Sequence, residues 1–338
     1  MQREFTCPAS FEESINRALA TYKLSLKDSK ALAKCVLALS DFFIAKPDSP
    51  TPWNESWAQV AYLCYYLPLN STRLTGLMEE ADKRGFFNGL SHVIDFGAGL
   101  ATASMTLNEK HKFSYQLIER AAEPQNLIEK HFPQFPPQEW LRTFSGARLK
   151  DGAKTLALFS YSLTELTDLP DWAYQCEALM LVEPSTQQDG RKLLQLRQKL
   201  LEKGYHVWAP CTHEQACPLL TQSKTDWCHD RVHFKAPSWF TALEAELPMK
   251  NRTLTMSYVL MRKTKPEAIK AARVVGDRLK EKGKDRQMIC RGSEREFLAW
   301  LHKTKIEQDI PRGVLVDIPD DIQKVSNELR VSHEIEVL

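Results

Sequence analysis

Between Ser91 and Met261 the chain alternates short apolar runs with amphipathic stretches, and that alternation leaves few folds open to it. His92–Phe96, Phe113–Ile118, Lys154–Phe159, Ala178–Val182 and Tyr205–Trp208 read as strands. Two of these, Lys154–Phe159 and Ala178–Val182, are nearly continuous in apolar residues, as a parallel sheet covered on both faces requires. Helices are expected near Ala101–Asn108, Pro124–His131 and Gln187–Lys203. The last carries Leu193, Leu194, Leu196, Leu200 and Leu201 and stops at Gly204. Strands and helices in this alternation imply a doubly wound α/β sheet. Leu254–Met261 adds one more strand, and with no crossover helix before it an antiparallel last strand is expected.

The flanks have a different texture. Phe11, Ile15, Ala18, Leu19 and Tyr22, then Leu32, Val36, Leu37 and Phe43, recur at helical spacing. Pro47, Pro50 and Pro52 interrupt them, and the apolar stretch Trp57–Leu67 follows. Beyond Lys263, short strands at Arg273–Val275, Gln287–Cys290, Phe297–Leu301 and Val314–Ile318 suit a small β-barrel, with Pro266–Ala272 open to a helix. Three regions result: an N-terminal helical region (1–90), an α/β domain (91–262) with an insertion at 210–248, and a C-terminal β module (263–338).

The net charge of +2 conceals a basic block: residues 262–305 hold fourteen Lys or Arg against six acids. Such a block on a mildly acidic body points to a polyanionic partner, nucleic acid first, against the alternative of a solvated face. No apolar run approaches the roughly 20 residues that span a bilayer, so no membrane partner is expected. Early acids Glu4, Glu12 and Glu13 argue against a mitochondrial presequence. A bacterial-type cytoplasm is therefore expected; nothing in the sequence sets the oligomeric state, and a monomer is assumed. In that compartment thiols stay reduced, and clustered cysteines read as metal ligands or redox groups.

Two constellations carry chemistry. Asp95-Phe96-Gly97-Ala98-Gly99-Leu100-Ala101 lies between an expected strand and an expected helix, where glycines let a ligand approach the backbone. Glu119, at the end of the next strand, is placed to accept hydrogen bonds from ribose hydroxyls. The loop lacks the third glycine of a dinucleotide fingerprint, which weakens an NAD reading; the expected antiparallel closing strand instead supports a class I methyltransferase-like sheet that binds S-adenosylmethionine. The second constellation is Cys211, Cys217 and Cys228 with the distant Cys290. Their gaps are looser than the paired spacing of zinc sites and suit an iron–sulfur cluster, while His213, His229 and His233 keep zinc open. Cys7, Cys35, Cys64 and Cys176 sit in apolar surroundings and read as core.

From about Tyr66 to Cys290 the sequence resembles the methyltransferase-like family associated with assembly of the mitochondrial small ribosomal subunit, which also has bacterial members. Val93–Thr102, Phe159–Leu166, Val182-Glu183-Pro184 running to Gly190, Ala209–Leu219 and Asp226–His229 carry the resemblance. It implies a 4Fe–4S cluster held by Cys211, Cys217, Cys228 and Cys290, a fold able to hold S-adenosylmethionine through Asp95, Gly97, Gly99, Glu119 and Ser160, and binding to small-subunit ribosomal RNA or a 30S-type particle. The chain departs from the family's pattern at Leu100-Ala101, usually Pro-Gly, and at Ser185, usually glycine.

No catalytic residue is assigned. Ser160-Tyr161-Ser162-Leu163 stands where amino-methylating enzymes carry an acceptor amide, and Cys211, if committed to a metal, cannot attack a base. Glu165 and Asp168 are candidate bases that also read as first-turn helix acids. The expected function is a small-subunit assembly factor. The alternatives are an active rRNA methyltransferase or a zinc- or iron–sulfur-dependent redox enzyme.

Overall fold

The computed structural model describes residues 3–46, 49–143, 149–150 and 154–338. The main sheet has nine strands: β1 (Glu4–Phe5), β2 (His92–Phe96), β3 (Ser114–Ile118), β4 (Glu139–Leu141), β5 (Thr155–Ser160), β6 (Ala178–Glu183), β7 (His206–Ala209), β8 (Asp230–Phe234) and β9 (Thr253–Arg262). Their spatial order is β4-β3-β2-β5-β6-β9, with β7 and β8 sharing the far edge of β9 and β1 beyond β8. From β4 to β6 every pairing is parallel, and β9 runs antiparallel to β6. An order of third, second, first, fourth and fifth strand, then an antiparallel strand entering before the sixth, is the class I methyltransferase-like sheet. β2 and β6 are buried at every position and β5 at all but its last, because helices cover both faces.

On one face lie α5 (Thr102–Asn108), α6 (Glu123–His131) and the N-terminal helices α1 (Ala9–Leu19), α2 (Ser29–Ala45), α3 (Ser56–Ala61) and α4 (Leu67–Lys83). One continuous core from Phe11 to Leu260 joins these helices to the sheet. Gly76 lets α4 approach closely: a Cβ there would lie 2.8 Å from Val232 and 2.9 Å from Phe5. On the opposite face α7 (Gln187–Glu202) starts with Thr186 accepting from the Asp189 N–H. It ends with Gly204 at φ +85°, whose N–H reaches Leu201 while that of Tyr205 reaches Leu200, a double C-terminal cap.

The segment between β7 and β9 holds α8 (Pro218–Thr221), β8 and α9 (Ser238–Ala245). Its second half therefore joins the main sheet. Residues 265–271 have no helix; they lead as an irregular connection into the C-terminal module. That module contains β10 (Ala272–Val274), β11 (Leu279–Glu281), β12 (Lys284–Cys290), β13 (Glu296–Leu301), β14 (Leu315–Val316), β15 (Gln323–Val325) and β16 (Glu328–Arg330). They pair in the order β14-β10-β12-β13-β16-β15 with β11 on β12. No pairing joins β14 to β15 among the described residues, so the expected barrel is a sheet with two open ends around its own core of Ile289, Leu298, Trp300 and Leu329.

Candidate functional site

The Asp95–Ala101 turn connects β2 to α5 at the carboxyl end of the sheet, and a cavity of about 420 Å³ opens there. Gly97 and Gly99 have φ of +65° and +50°. A Cβ on Gly97 would lie 2.6 Å from that of Ser162, and one on Gly99 would lie 3.3 Å from Trp53 Cζ2. Ala101 also has a left-handed φ of +50°, so alanine keeps the backbone shape that glycine favours. Glu119 holds the turn from β3: Oε2 accepts from the Gly99 N–H and Oε1 from the Ala121 N–H, both at 3.0 Å. A carboxylate has about four acceptor sites, so it can hold the turn and also receive ribose hydroxyls. Asp95, at 1% exposure, accepts from Ser104 Oγ at 2.7 Å. Burial pushes its carboxyl up to about 7; the Ser104 hydrogen bonds oppose that rise and the Glu119 charge adds to it.

The opposite wall is Ser160, Tyr161 and Ser162, after β5. Tyr161 has a φ of +60°, and its hydroxyl and that of Ser162 are buried without a hydrogen-bond partner among the described residues. The structure thus brings Asp95, Gly97, Gly99, Glu119 and Ser160 to one cavity. Sequence reading missed the third wall: Trp53, Tyr62 and Asn70 from the N-terminal region also line it. The Trp53 and Tyr62 rings lie 4.7 Å apart, and Tyr62 opens a π-helical turn (Tyr62–Tyr66) between α3 and α4.

Asp168 is elsewhere. It lines a separate cavity of about 220 Å³ against α7, with its side chain half exposed, and the Tyr174 hydroxyl bond keeps its carboxyl below the usual range. The side chain of Glu165 lies outside the described residues. Glu183 lines that second cavity; its Oε1 accepts from the Leu163 N–H at 2.9 Å, and burial pushes its carboxyl up to about 7.

The four cysteines gather where three segments meet. Cys211 follows β7, Cys217 precedes α8, Cys228 precedes β8 and Cys290 ends β12. Helix α7 shapes this region. Gly190 admits Trp227, since a Cβ there would lie 2.6 Å from the indole, and Arg191 donates to the carbonyls of Leu219, Ser223 and Asp226. The C-terminal module is tied in by His213 Nε2 against Cys290 Sγ at 3.2 Å and by the Ser293 N–H donating to Gln215 Oε1 at 3.0 Å. Burial raises the Cys290 thiol, and the charges of Cys211, Cys228 and Cys217 raise it further. Cys228 is raised likewise by burial and then by Cys211 and Cys217. Burial and Arg197 push His213 down to about 4; burial, then Arg312 and Arg231, do the same for His229.

Among the described residues no three His, Cys, Asp or Glu side chains converge to hold a single ion. Buried Arg197 and Arg312 lie beside the thiols, Arg197 against Cys211 and Arg312 near Cys228, and two cations there suit an anionic group. Four thiols drawn from separate segments, with two buried cations beside them, are chemically suited to a thiolate-held anionic group.

The basic block is not one solvated face. Arg262 pairs with Glu177, Arg273 with Glu80, Arg278 with Asp285, Lys284 with Glu328 and Arg295 with Asp226. Phe297 and Trp300 are buried, at 6% and 1% exposure, and serve as core. Lys280, Lys282, Lys303 and Lys305 remain exposed.

The sequence model of one protein family, described as Mitochondrial small ribosomal subunit Rsm22, matches residues 57–307. No curated protein matches the chain. Three solved structures overlay on it loosely. A candidate RNA methyltransferase from Pyrococcus horikoshii is 14% identical, with 69% of this chain and 96% of that one covered and a TM-score of 0.37. Magnesium protoporphyrin IX methyltransferase from Synechocystis, solved with S-adenosylhomocysteine, is 9% identical, with 70% and 100% covered and a TM-score of 0.36. TrmK of M. capricolum, also solved with that product, is 10% identical, with 56% and 69% covered and a TM-score of 0.33.

Proposed function

The chain belongs to the Mitochondrial small ribosomal subunit Rsm22 family, and from that premise we propose that it is a small-subunit assembly factor that binds ribosomal RNA. In this reading the cavity at the ends of β2, β3 and β5 holds S-adenosylmethionine, which when bound supplies a sulfonium methyl group. The observation that carries the cofactor assignment is the Glu119 carboxylate at that cavity, accepting from the Gly99 and Ala121 N–H groups with acceptor sites to spare. Asp95 and the Gly97–Gly99 turn form its floor, and Ser160 and Trp53 its sides. Cys211, Cys217, Cys228 and Cys290 hold a 4Fe–4S cluster that cross-links the 210–228 segment to β12. The exposed lysines of the C-terminal module meet phosphates.

The rival reading is an active rRNA methyltransferase, and the orphaned hydroxyls of Tyr161 and Ser162 on the cavity wall are what favours it. Methyl transfer from labelled S-adenosylmethionine to small-subunit particles separates the two. Binding without turnover supports the assembly factor; stoichiometric label in the RNA supports the enzyme. Iron and acid-labile sulfide at about four each per anaerobically purified chain support the cluster, and one zinc without sulfide contradicts it.

A further inference from the structure

Helix α7 carries one residue that breaks its own apolar stripe. Leu193, Leu194 and Leu200 are buried on it, and Arg197 is buried with them at 0% exposure. A guanidinium out of water is strongly unfavourable unless an anion faces it. The other deeply buried arginines among the described residues obey this: Arg262 pairs with Glu177 and Arg273 with Glu80. Arg197 differs. Its Nη2 donates to the carbonyls of His213 at 2.7 Å and Gln215 at 3.2 Å, and its guanidinium faces the Cys211 thiol, with no carboxylate paired to it among the described residues. After burial, what bears most on it is Cys211, Cys217 and Cys290. Arg312, near Cys228, has Asp277 at 3.6 Å as a counter-charge.

We infer that Arg197 is the fixed counter-cation of the four-cysteine site: it stabilises an anionic occupant and leaves the empty site with a buried charge that faces thiols and no carboxylate among the described residues. The inference rests on the cluster reading proposed above and adds to it a positioning residue outside the thiols. Its consequence is a change of sign. Removing the cation weakens the occupied protein, because a net-negative iron–sulfur core loses its partner, yet relieves the empty one. The carbonyls of His213 and Gln215 aim the guanidinium, so a neutral donor of similar reach keeps the loop contacts while losing the charge.

The test uses full-length, anaerobically purified wild type, Arg197→Met, Arg197→Gln and Arg197→Lys. Iron release to a ferrous chelator is timed for each, and urea midpoints are measured on iron-free chains. The two neutral variants are expected to release iron at least ~10-fold faster than wild type, with Lys within about threefold of it. Iron-free Arg197→Met is expected to unfold at the same urea concentration as iron-free wild type or a higher one. Equal iron release by wild type and both neutral variants overturns the inference. So does an iron-free Arg197→Met chain that is less stable than iron-free wild type, since that marks a purely structural arginine. If wild type itself holds neither iron nor sulfide, the cluster reading has failed, and that control alone distinguishes this outcome.

Discussion

Asp95→Asn tests the electrostatics of the cofactor turn. Asp95 is fully buried, and burial raises its carboxyl from 3.8 to about 7. The shift is upward for an acid, so the native state holds the proton more tightly than the unfolded chain does. Stability at this residue is therefore highest below pH 3.8, falls as pH rises, and levels off above about 7. At about 1.36 kcal/mol per pKa unit, ionising Asp95 costs on the order of 4 kcal/mol at pH 8, of which about 2–3 kcal/mol appears between pH 5 and 8. Asparagine cannot ionise, and its carbonyl can still accept from Ser104 Oγ, now at 2.7 Å. Urea unfolding of cofactor-free wild type and variant across pH 5 to 8 isolates the effect, because the Glu183 carboxyl titrates alike in both. The variant should gain stability over wild type steadily as pH rises, by about 2–3 kcal/mol across that range. Parallel pH profiles would show that Asp95 is solvated or already ion-paired, and the reasoning would fail.

Gly99→Val places a β-branched residue at φ +50° and a Cβ 3.3 Å from Trp53, with a strain of about 1–2 kcal/mol. Calorimetry should show S-adenosylmethionine binding lost while circular dichroism stays native; wild-type affinity refutes the site. Cys290→Ser should lower iron content and speed amide exchange across β12 and β13, and unchanged iron would remove Cys290 from the ligand set. Reversing Lys280, Lys282, Lys303 and Lys305 to Glu should weaken small-subunit RNA binding and flatten its salt dependence at constant iron content. Lys284→Glu should instead lower stability, since it sets a third negative charge beside Glu281 and Glu328; equal thermal midpoints would contradict that.

β5 and β6 were legible because each is a nearly continuous apolar run, and β9 because it alternates Leu, Met and Tyr; α9 precedes it, but that helix joins antiparallel β8 and β9 rather than crossing between parallel strands. β4, β11, β15 and β16 were not, since three residues carry too little periodicity to read. β8 alternates buried and half-buried residues from Asp230 to Phe234, yet it lies beside the cysteines and in sequence reads as part of their segment. That Asp95, Gly97, Gly99 and Glu119 share one cavity was legible because the turn and its acid are close in sequence, whereas Ser160 reaches it from the end of β5. Trp53, Tyr62 and Asn70 reach the cavity only through packing of the N-terminal helices, which no local pattern encodes. Arg197 could have been found: a lone arginine three residues after Leu194 and three before Leu200 interrupts an otherwise apolar stripe. The charge count of residues 262–305 misled in part, because cross-strand pairs such as Lys284–Glu328 join residues far apart in sequence.

The most direct test of the assembly-factor reading is sedimentation of anaerobically purified protein with purified ribosomal subunits through sucrose gradients at two salt concentrations. The account predicts co-migration with small-subunit particles and not with large ones, lost on raising salt from 50 to 200 mM as several phosphate contacts are screened. Protein remaining at the top of the gradient at low salt, or distributing equally between both subunits, would contradict it.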